Sequence, residues 1–339
     1  MDYAGVYEAE FVLRNVLPET WGDYGEPLPV NGASISANAT DAVPLLQTAD
    51  IELDYTLEPG WYRLYMIARQ NGSEKEPIGT FLYRGASITH DYGLHSSTAK
   101  MESVLKPADT SVVLGDYAPE GSDGARQAAR LLSQCTPAPV SVEGSFTLAH
   151  HVVFQPGSSC LKAVWDILDS GGFCIQLDGM GTIHIRPLPD EPDLMLSRED
   201  MDILMPGITE DTTEEIPNRY YAVQNGVTAM AENRDGDNRL SFKTRGYWED
   251  VYDTAVVRVN GETLQHYAER KLREASVLDR KVSYKREFAP GVVPFSLVRC
   301  SVPEDGLDGD ARVISQSFDC SYGIEVSETI SFTEVLWNG

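Results

Sequence analysis

Apolar and polar positions alternate with the period of a β-strand over most of the chain and switch to the period of a helix in three places. In YEAEFVL (7–13), Tyr7, Ala9, Phe11 and Leu13 share one face, while Glu8 and Glu10 occupy the other. Ile51, Leu53 and Tyr55 alternate with Glu52, Asp54 and Thr56; Pro59-Gly60 turns the chain, and WYRLYMIA (61–68) returns as a strand. Asn71-Gly72 is a strong hairpin signal that leads into IGTFLY (78–83). Residues 1–95 therefore read as an antiparallel barrel or sandwich. The polar, Gly/Pro-rich stretch from Pro18 to Pro44 is expected to reach away from it as a long loop.

The texture changes near Met101, and 96–192 reads as a compact α+β unit. Following the turn residues of DYAPEGSDG (116–124), Ala125, Ala128, Ala129 and Leu132 fall at i, i+3, i+4 and i+7. That spacing predicts a short amphipathic helix over about 123–134, with Ser122 or Asp123 as its cap. A second helix, over about 159–170, begins after Pro156-Gly157 with Ser158 or Ser159 as cap and ends at Gly171-Gly172. Its apolar stripe is Leu161, Val164, Trp165 and Leu168. A hairpin over 173–187 follows at once: Phe173, Ile175 and Leu177 alternate, Asp178-Gly179 turns, and Ile183 and Ile185 alternate on the way back. Trp165 and Leu168 are expected to pack onto Phe173, Ile175 and Ile185.

PLPDEPD (187–193) is a proline- and acid-rich linker. Beyond it, 193–339 reads as a second β region. Its expected strands are RYYAVQNG (219–226), SFKTR (241–245), AVVRV (255–259), VSYKREF, ARVISQSF and VSETISF. A third helix, over about 263–276, turns Leu264, Ala268, Leu272 and Ala275 inward and pairs Glu269 with Arg273 and Arg270 with Glu274 outside. The fold class is mainly β, with α+β character in the middle.

Length allows two or three such units in 339 residues. The charge narrows the partners: 27 Lys and Arg stand against 52 Asp and Glu, a net −25, which repels phosphate backbones. The surplus acid either keeps the surface soluble or lines a surface over which DNA slides without sticking, and composition does not choose between them. Acids in expected loops, Glu26, Asp41, Glu74, Asp116, Glu120, Asp235 and Asp237, are the candidates for such a lining. No run of eighteen apolar residues is long enough to span a membrane. The opening MDYAGVYEAE is acidic where an export signal needs positive charge. Five widely spaced cysteines, Cys135, Cys160, Cys174, Cys300 and Cys320, form no C-x-x-C and read as reduced, mostly buried thiols, as fits a protein assembled in a cytoplasm.

Catalytic and metal signatures are lacking. There is no H-E-x-x-H, G-x-S-x-G, P-loop or G-x-G-x-x-G. Adjacent His150 and His151 would point to opposite faces of a strand, a poor geometry for one metal, and His184 in the hairpin is expected to face solvent. His90, His95 and His266 stand in no ligand spacing. DGDN (235–238) and EDGLDGD (304–310) have the composition of calcium loops without their ligand spacing and read as solvated turns. No cofactor, no metal and no enzymatic activity are expected.

Three stretches, in this order, resemble the tail hub proteins (baseplate or tail-tip hubs) of tailed bacteriophages. PGSSCLKAVWDILDSGGFCIQLDGMGTIHIRPLP (156–189) is similar to their helix, glycine stop, D-G hairpin and proline exit. IPNRYYAVQNG (216–226) is similar to the strand that opens their next barrel, and GETLQHYAERKLREASVLDRKVSY (261–284) to the helix before their last strands, with Tyr267, Ala268, Arg270 and Leu272 on its pattern. The resemblance covers about the last two-thirds of the chain and extends more loosely to IGTFLY.

It implies two tail-tube-like antiparallel β-barrels flanking the helix–hairpin unit, and a homotrimeric ring whose six barrels match a sixfold tail tube. Such a ring is a virion component of the tail tip, assembled in the host cytoplasm, that surrounds the channel for genome ejection. Its implied partners are the tail tube, distal tail or baseplate proteins, the tape-measure protein, and tail fibre or receptor-binding proteins, with DNA only in passing. The resemblance implies a short form, expected to lack the C-terminal receptor-binding or hydrolase extension of larger relatives. Alternatives are a distal tail protein, which also begins with a barrel, and a carbohydrate-binding or hydrolytic β-protein.

Overall fold

In a computed structural model of the chain the described residues are 8–40, 43–69, 73–85, 97–114, 117–154, 156–210, 215–303, 306–321 and 324–337. The first third forms seven strands: β1 (Glu8–Val16), β2 (Asp23–Pro29), β3 (Gly32–Asn38), β4 (Leu46–Leu53), β5 (Gly60–Arg69), β6 (Ser73–Tyr83) and β7 (Ser97–Ser103). Phe11, Leu13, Ile35, Ile51, Leu53, Leu64 and Phe81 fill their common core, as the two-residue alternation requires. The stretch Pro18–Pro44 is not a projecting loop: it supplies β2 and β3. The apolar side of β3 is Ala33, Ile35 and Ala37, two of them too small to register as a hydrophobic stripe. Its polar side is Ser34 and Ser36. The prolines of β2 are tolerated because β2 ends the sheet.

The middle third mixes helices with short strands. It contains α1 (Lys106–Thr110), β8 (Tyr117–Ala118), α2 (Gly124–Cys135), β9 (Val140–Val142), β10 (Val152–Val153), α3 (Cys160–Ser170), β11 (Phe173–Leu177) and β12 (Ile183–Pro187). Asp123 caps α2 through the Ala125 amide, and Ser159 caps α3 through that of Lys162. Leu161, Val164, Leu168, Phe173, Ile175 and Ile185 meet in one core, joined by Ile167, Leu131 and Leu132. Trp165 packs against this core only in part. At 100° per residue it sits roughly 120° round the helix from the centre of the face carrying Cys160, Val164, Ile167 and Leu168. It therefore lies half-buried at the rim, its ring 5.8 Å from that of Phe295 and its Nε1 donating to the Pro44 carbonyl at 3.3 Å.

The last third carries β13 (Leu194–Ser197), β14 (Asp202–Glu210), β15 (Arg219–Gln224), β16 (Val227–Glu232), α4 (Phe242–Arg245), β17 (Asp250–Asp253), α5 (Leu264–Ala275), β18 (Val277–Glu287), β19 (Leu297–Val302), β20 (Leu307–Cys320) and β21 (Glu325–Val335). Its outer strands continue the first third's sheet. A thirteen-stranded, largely antiparallel sheet runs β14-β18-β21-β20-β3-β4-β7-β6-β5-β1-β2, with β19 along the start of β20 and β13 on β19. Among the described residues the two ends of this path do not pair, so one open sheet over two cores stands where a pair of barrels was expected.

β20 joins the cores. One of its edges takes β19 at Leu307–Arg312 and then β3 at Ser315–Cys320. A register shift between Val313 and Ser315 changes which residues face inward. Leu307, Ala311 and Val313 fill the second core; Phe318 and Cys320 fill the first.

Residues 216–275 leave this sheet. β15 pairs antiparallel with β16 and parallel with β17, and α5 covers one face, where Tyr220, Ala222 and Ala231 meet Tyr267, Ala268 and Leu272. Leu264 is half-buried beside them. SFKTR, expected as a strand, is α4: the Ser241 side chain caps it, and Gly246 ends it at φ 77°. AVVRV makes no strand either. Val257 reaches the core of the α+β unit, Val256 that of the lobe, and Val259 bridges to Leu148.

The turn between β11 and β12 seats the α+β unit on the first sheet half. Arg63, 1% exposed, is ion-paired to Asp23. It also donates to Thr80 Oγ1 (2.9 Å), the Trp21 carbonyl (3.2 Å) and the Met180 carbonyl (3.0 Å). Thr80 Oγ1 donates to the Gly179 carbonyl at 3.1 Å, and Trp21 Nε1 to the Met180 carbonyl at 2.8 Å. A Cβ at Gly179 would lie 1.9 Å from the Pro77 carbonyl oxygen.

Two outcomes follow for stability, both read by denaturant unfolding. Leu168→Ala, at a fully buried site, should cost about 3 kcal/mol, and Trp165→Ala at the rim only about 1–2 kcal/mol; the reverse order would place the indole in the core. Gly179→Ala should cost more than the roughly 1 kcal/mol expected for Gly172→Ala, where φ is 68° but no atom lies within 4 Å of the new Cβ. Equal losses would show that the hairpin turn yields without resistance.

Candidate assembly surfaces

Between the two cores lies a buried polar cluster that the strand pattern places by register. Glu328 on β21 stands directly opposite Tyr284 on β18 and Gln316 on β20. Its carboxylate accepts from Arg286 Nε and Nη2 at 3.0 and 2.8 Å, from Gln316 Nε2 at 2.6 Å, and from the Tyr284 hydroxyl. Burial, reinforced by the Glu328 charge, pushes the Tyr284 hydroxyl well above its ordinary pKa, so it remains a donor. Sequence reasoning missed this cluster and Arg63. Both leave a mark in the sequence: Glu328 shares a face with Val326 and Ile330, and Arg63 one with Trp61 and Tyr65.

The lobe formed by 216–275 presents an open sheet face. Asp253 accepts from the hydroxyls of Tyr220 (2.9 Å) and Tyr267 (2.7 Å) and ties β17 to α5 on the covered side. On the other side Tyr221 lies between Met230 and Tyr252, its ring 6.4 Å from that of Tyr252. Met230 and Tyr252 are exposed. Beyond this row, Trp248 stacks on Phe242 at 4.5 Å, and the guanidiniums of Arg219 and Arg234 lie 4.6 and 4.9 Å from the Trp248 ring. Aromatics, methionine and arginine are the residue types that interfaces favour.

The candidate lining acids that are described belong to three different parts of the chain. Glu26 is exposed on β2, Glu120 is exposed before α2, and Asp235 and Asp237 are exposed on the lobe. The last two sit in a turn closed by Asn233 Nδ2 donating to Asn238 Oδ1 at 3.0 Å. Asp41 and Asp116 lie outside the described residues, as do the side chain of Glu74 and the histidines His90 and His95.

His184 is half-buried, with Nε2 3.0 Å from Asp178 Oδ2, where the sequence had placed it in solvent. His150 and His151 precede β10 instead of lying in a strand. His150 Nε2 meets the Val256 carbonyl at 3.1 Å, and burial, then nearby Arg258, lowers its pKa. Burial pushes the thiols of Cys174, Cys300 and Cys320 up to about 12, which leaves them protonated and poor nucleophiles at neutral pH. Among the described residues no group of three or more His, Cys, Asp or Glu is placed to hold a metal ion, and no helix is long and apolar enough to cross a membrane.

No family model matches the sequence, and no curated protein matches it. Solved structures do. A tail protein from Neisseria meningitidis MC58 superposes with a TM-score of 0.67 at 12% identity, over 97% of this chain and 98% of that one. The 43 kDa tail protein of prophage MuSo2 from Shewanella oneidensis gives 0.61 at 11% identity, over 95% and 98%. The E. coli c3393 protein gives 0.50 at 10% identity, over 91% and 74%; it is described as a component of the type VI secretion system, structurally similar to the T4 bacteriophage tail proteins gp27 and gp5. At these identities the likeness establishes the fold, and the fold of this chain is that of phage tail proteins.

Proposed function

We propose that the chain is a tail hub protein of a phage or phage-like particle, structural and not catalytic. In this reading three copies close a ring that joins the tail tube to the baseplate or tail tip and surrounds the DNA channel. The observation that carries it is the correspondence of the whole chain, both sheet halves and the helix–hairpin unit together, to a tail protein covered over 98% of its length. Each half of the open sheet then contributes one segment of the tube wall, two per chain and six per ring.

The outer edges of β2 and β14, at the ends of the sheet path, offer backbone groups for a neighbouring chain to pair with. Tail tube, distal tail or baseplate proteins, the tape-measure protein, and fibre or receptor-binding proteins are the partners this position implies. A distal tail protein is the competing assignment, and the helix–hairpin unit at the centre of the chain speaks against it.

A reconstruction of the particle without imposed symmetry should show three copies; six would favour the distal tail assignment, and two would exclude both. In that ring, exposed Asp and Glu should be denser on the channel wall than on the outer surface. Only carboxylates within about 8 Å of passing DNA act on it at physiological salt. Because Glu26, Glu120 and the Asp235–Asp237 turn belong to three different units, the wall is expected to hold a subset of them. Equal densities would assign the acid to solubility.

A further inference from the structure

Between β17 and α5 the chain leaves the lobe's sheet and crosses the α+β unit as a strap. Val256 packs into the core of the lobe and Val257 into that of the α+β unit. Leu148 and Val259 form a bridge across the junction. The Ala149 amide donates to the Arg258 carbonyl at 2.9 Å, and the Asn260 amide to the Thr147 carbonyl at 2.7 Å. Residues 147–150 thus hold the strap, and through it the lobe.

His150 stands at the end of this contact. Its Nε2 lies 3.1 Å from the Val256 carbonyl, which also accepts from Gln224 Nε2 on β15 at 3.3 Å. A carbonyl oxygen only accepts, so Nε2 carries the proton and, in the neutral ring, Nδ1 does not. Nδ1 is buried, and no hydrogen-bonding group of the described residues reaches it. A second proton would sit there without an acceptor and shut off from solvent. Nearby Arg258 adds a like charge and is itself held by Gln224 Oε1 and the Glu262 carbonyl. The carboxylates of Glu120, before α2, and Glu262 favour the cation; burial and then Arg258 outweigh them and lower the ring's pKa.

We propose that His150 is a proton-operated latch: its neutral ring holds the strap against the α+β unit, and its cation lets the strap loosen. The closed contact fits only a ring with Nε2–H and a bare Nδ1. The cation can solvate its second N–H only when the strap moves off, so acid favours the open form. Because the closed form lowers the pKa, the latch is fully set above the ordinary histidine value of about 6.5 and weakens as pH falls below it. Lys271, ion-paired to Asp169, is a second tie between lobe and unit that does not depend on this ring. Acid should therefore loosen the seating of the lobe, which carries the open face of Tyr221, Met230 and Tyr252, without unfolding the sheet. The inference needs no trimeric ring and stands or falls apart from it.

Native-state hydrogen exchange of the full chain, corrected for intrinsic rates and followed between about pH 7.5 and 5, tests the latch at the Ala149 and Asn260 amides. Their opening should rise by up to about tenfold for each unit below about pH 6.5, the signature of one proton, while amides of β18, β20 and β21 stay protected. His150→Gln keeps a donor for the Val256 carbonyl and does not titrate, so its opening should be flat with pH. The His150 ring itself, read by its NMR titration in the unaltered chain, should titrate below about 6.5; this measurement decides the matter if the variant does not fold. A flat response in the unaltered chain, the same rise in His150→Gln, an equal rise across the whole sheet, or a ring titrating at or above about 6.5 would each overturn the proposal.

Discussion

At Gly179 the hairpin turn comes so near the Pro77 carbonyl that no side chain fits between them, and the placement of the α+β unit follows from that approach. With the turn seated, Arg63 gains the Met180 carbonyl, Trp21 donates to the same oxygen, and Thr80 reaches Gly179. The backbone around the seat is bent to suit. Trp21, Leu46 and Phe295 adopt left-handed φ angles of 56°, 65° and 71°, a region that disfavours bulky side chains. All three pack against the α+β core. Strain of this kind persists where packing holds it in place; here, that packing fixes how the central unit meets the two sheet halves.

The second organising feature is polar. A buried ion pair such as Arg286 with Glu328 contributes little net stability, because desolvation offsets most of the attraction. Its value here lies in register. Tyr284, Glu328 and Gln316 occupy facing positions on three adjacent strands, and a slip of one residue would turn each of them to the opposite side of the sheet. The cluster thus pins β18, β21 and β20 at the level where β20 passes from one core to the other.

Much of this could be read from the sequence, and the parts that could not share physical causes. The helices over 124–135, 160–170 and 264–275 announced themselves through caps, glycine stops and a stripe at helical spacing, all local signals. β3 escaped because alanine and serine give an alternation too faint to see, although that strand ties the two halves together. The single open sheet escaped because pairing between β3 and β20 is a fact about residues far apart in sequence. SFKTR was expected as a strand, whereas the Ser241 cap and Gly246 decide for a helical turn. Of the candidate site residues, the packing set was legible as a stripe, except that Trp165 lies beside the stripe instead of on it. The acids were legible only as an excess, since net charge carries no position.

The pairing of β3 with β20 also bears on how the chain is made. Its partners are separated by roughly 280 residues, so at a synthesis rate of about 5–20 residues per second β3 waits between about 15 and 60 seconds for β20 to emerge. Through that interval β4 covers one edge of β3 and the other stays open, a template for any strand of a neighbouring nascent chain on the same message. The two serines that hid β3 from the eye, Ser34 and Ser36, stay exposed in the finished protein and keep one face of the waiting strand polar. A strand written this faintly is a poor nucleus for aggregation while its partner is still being translated.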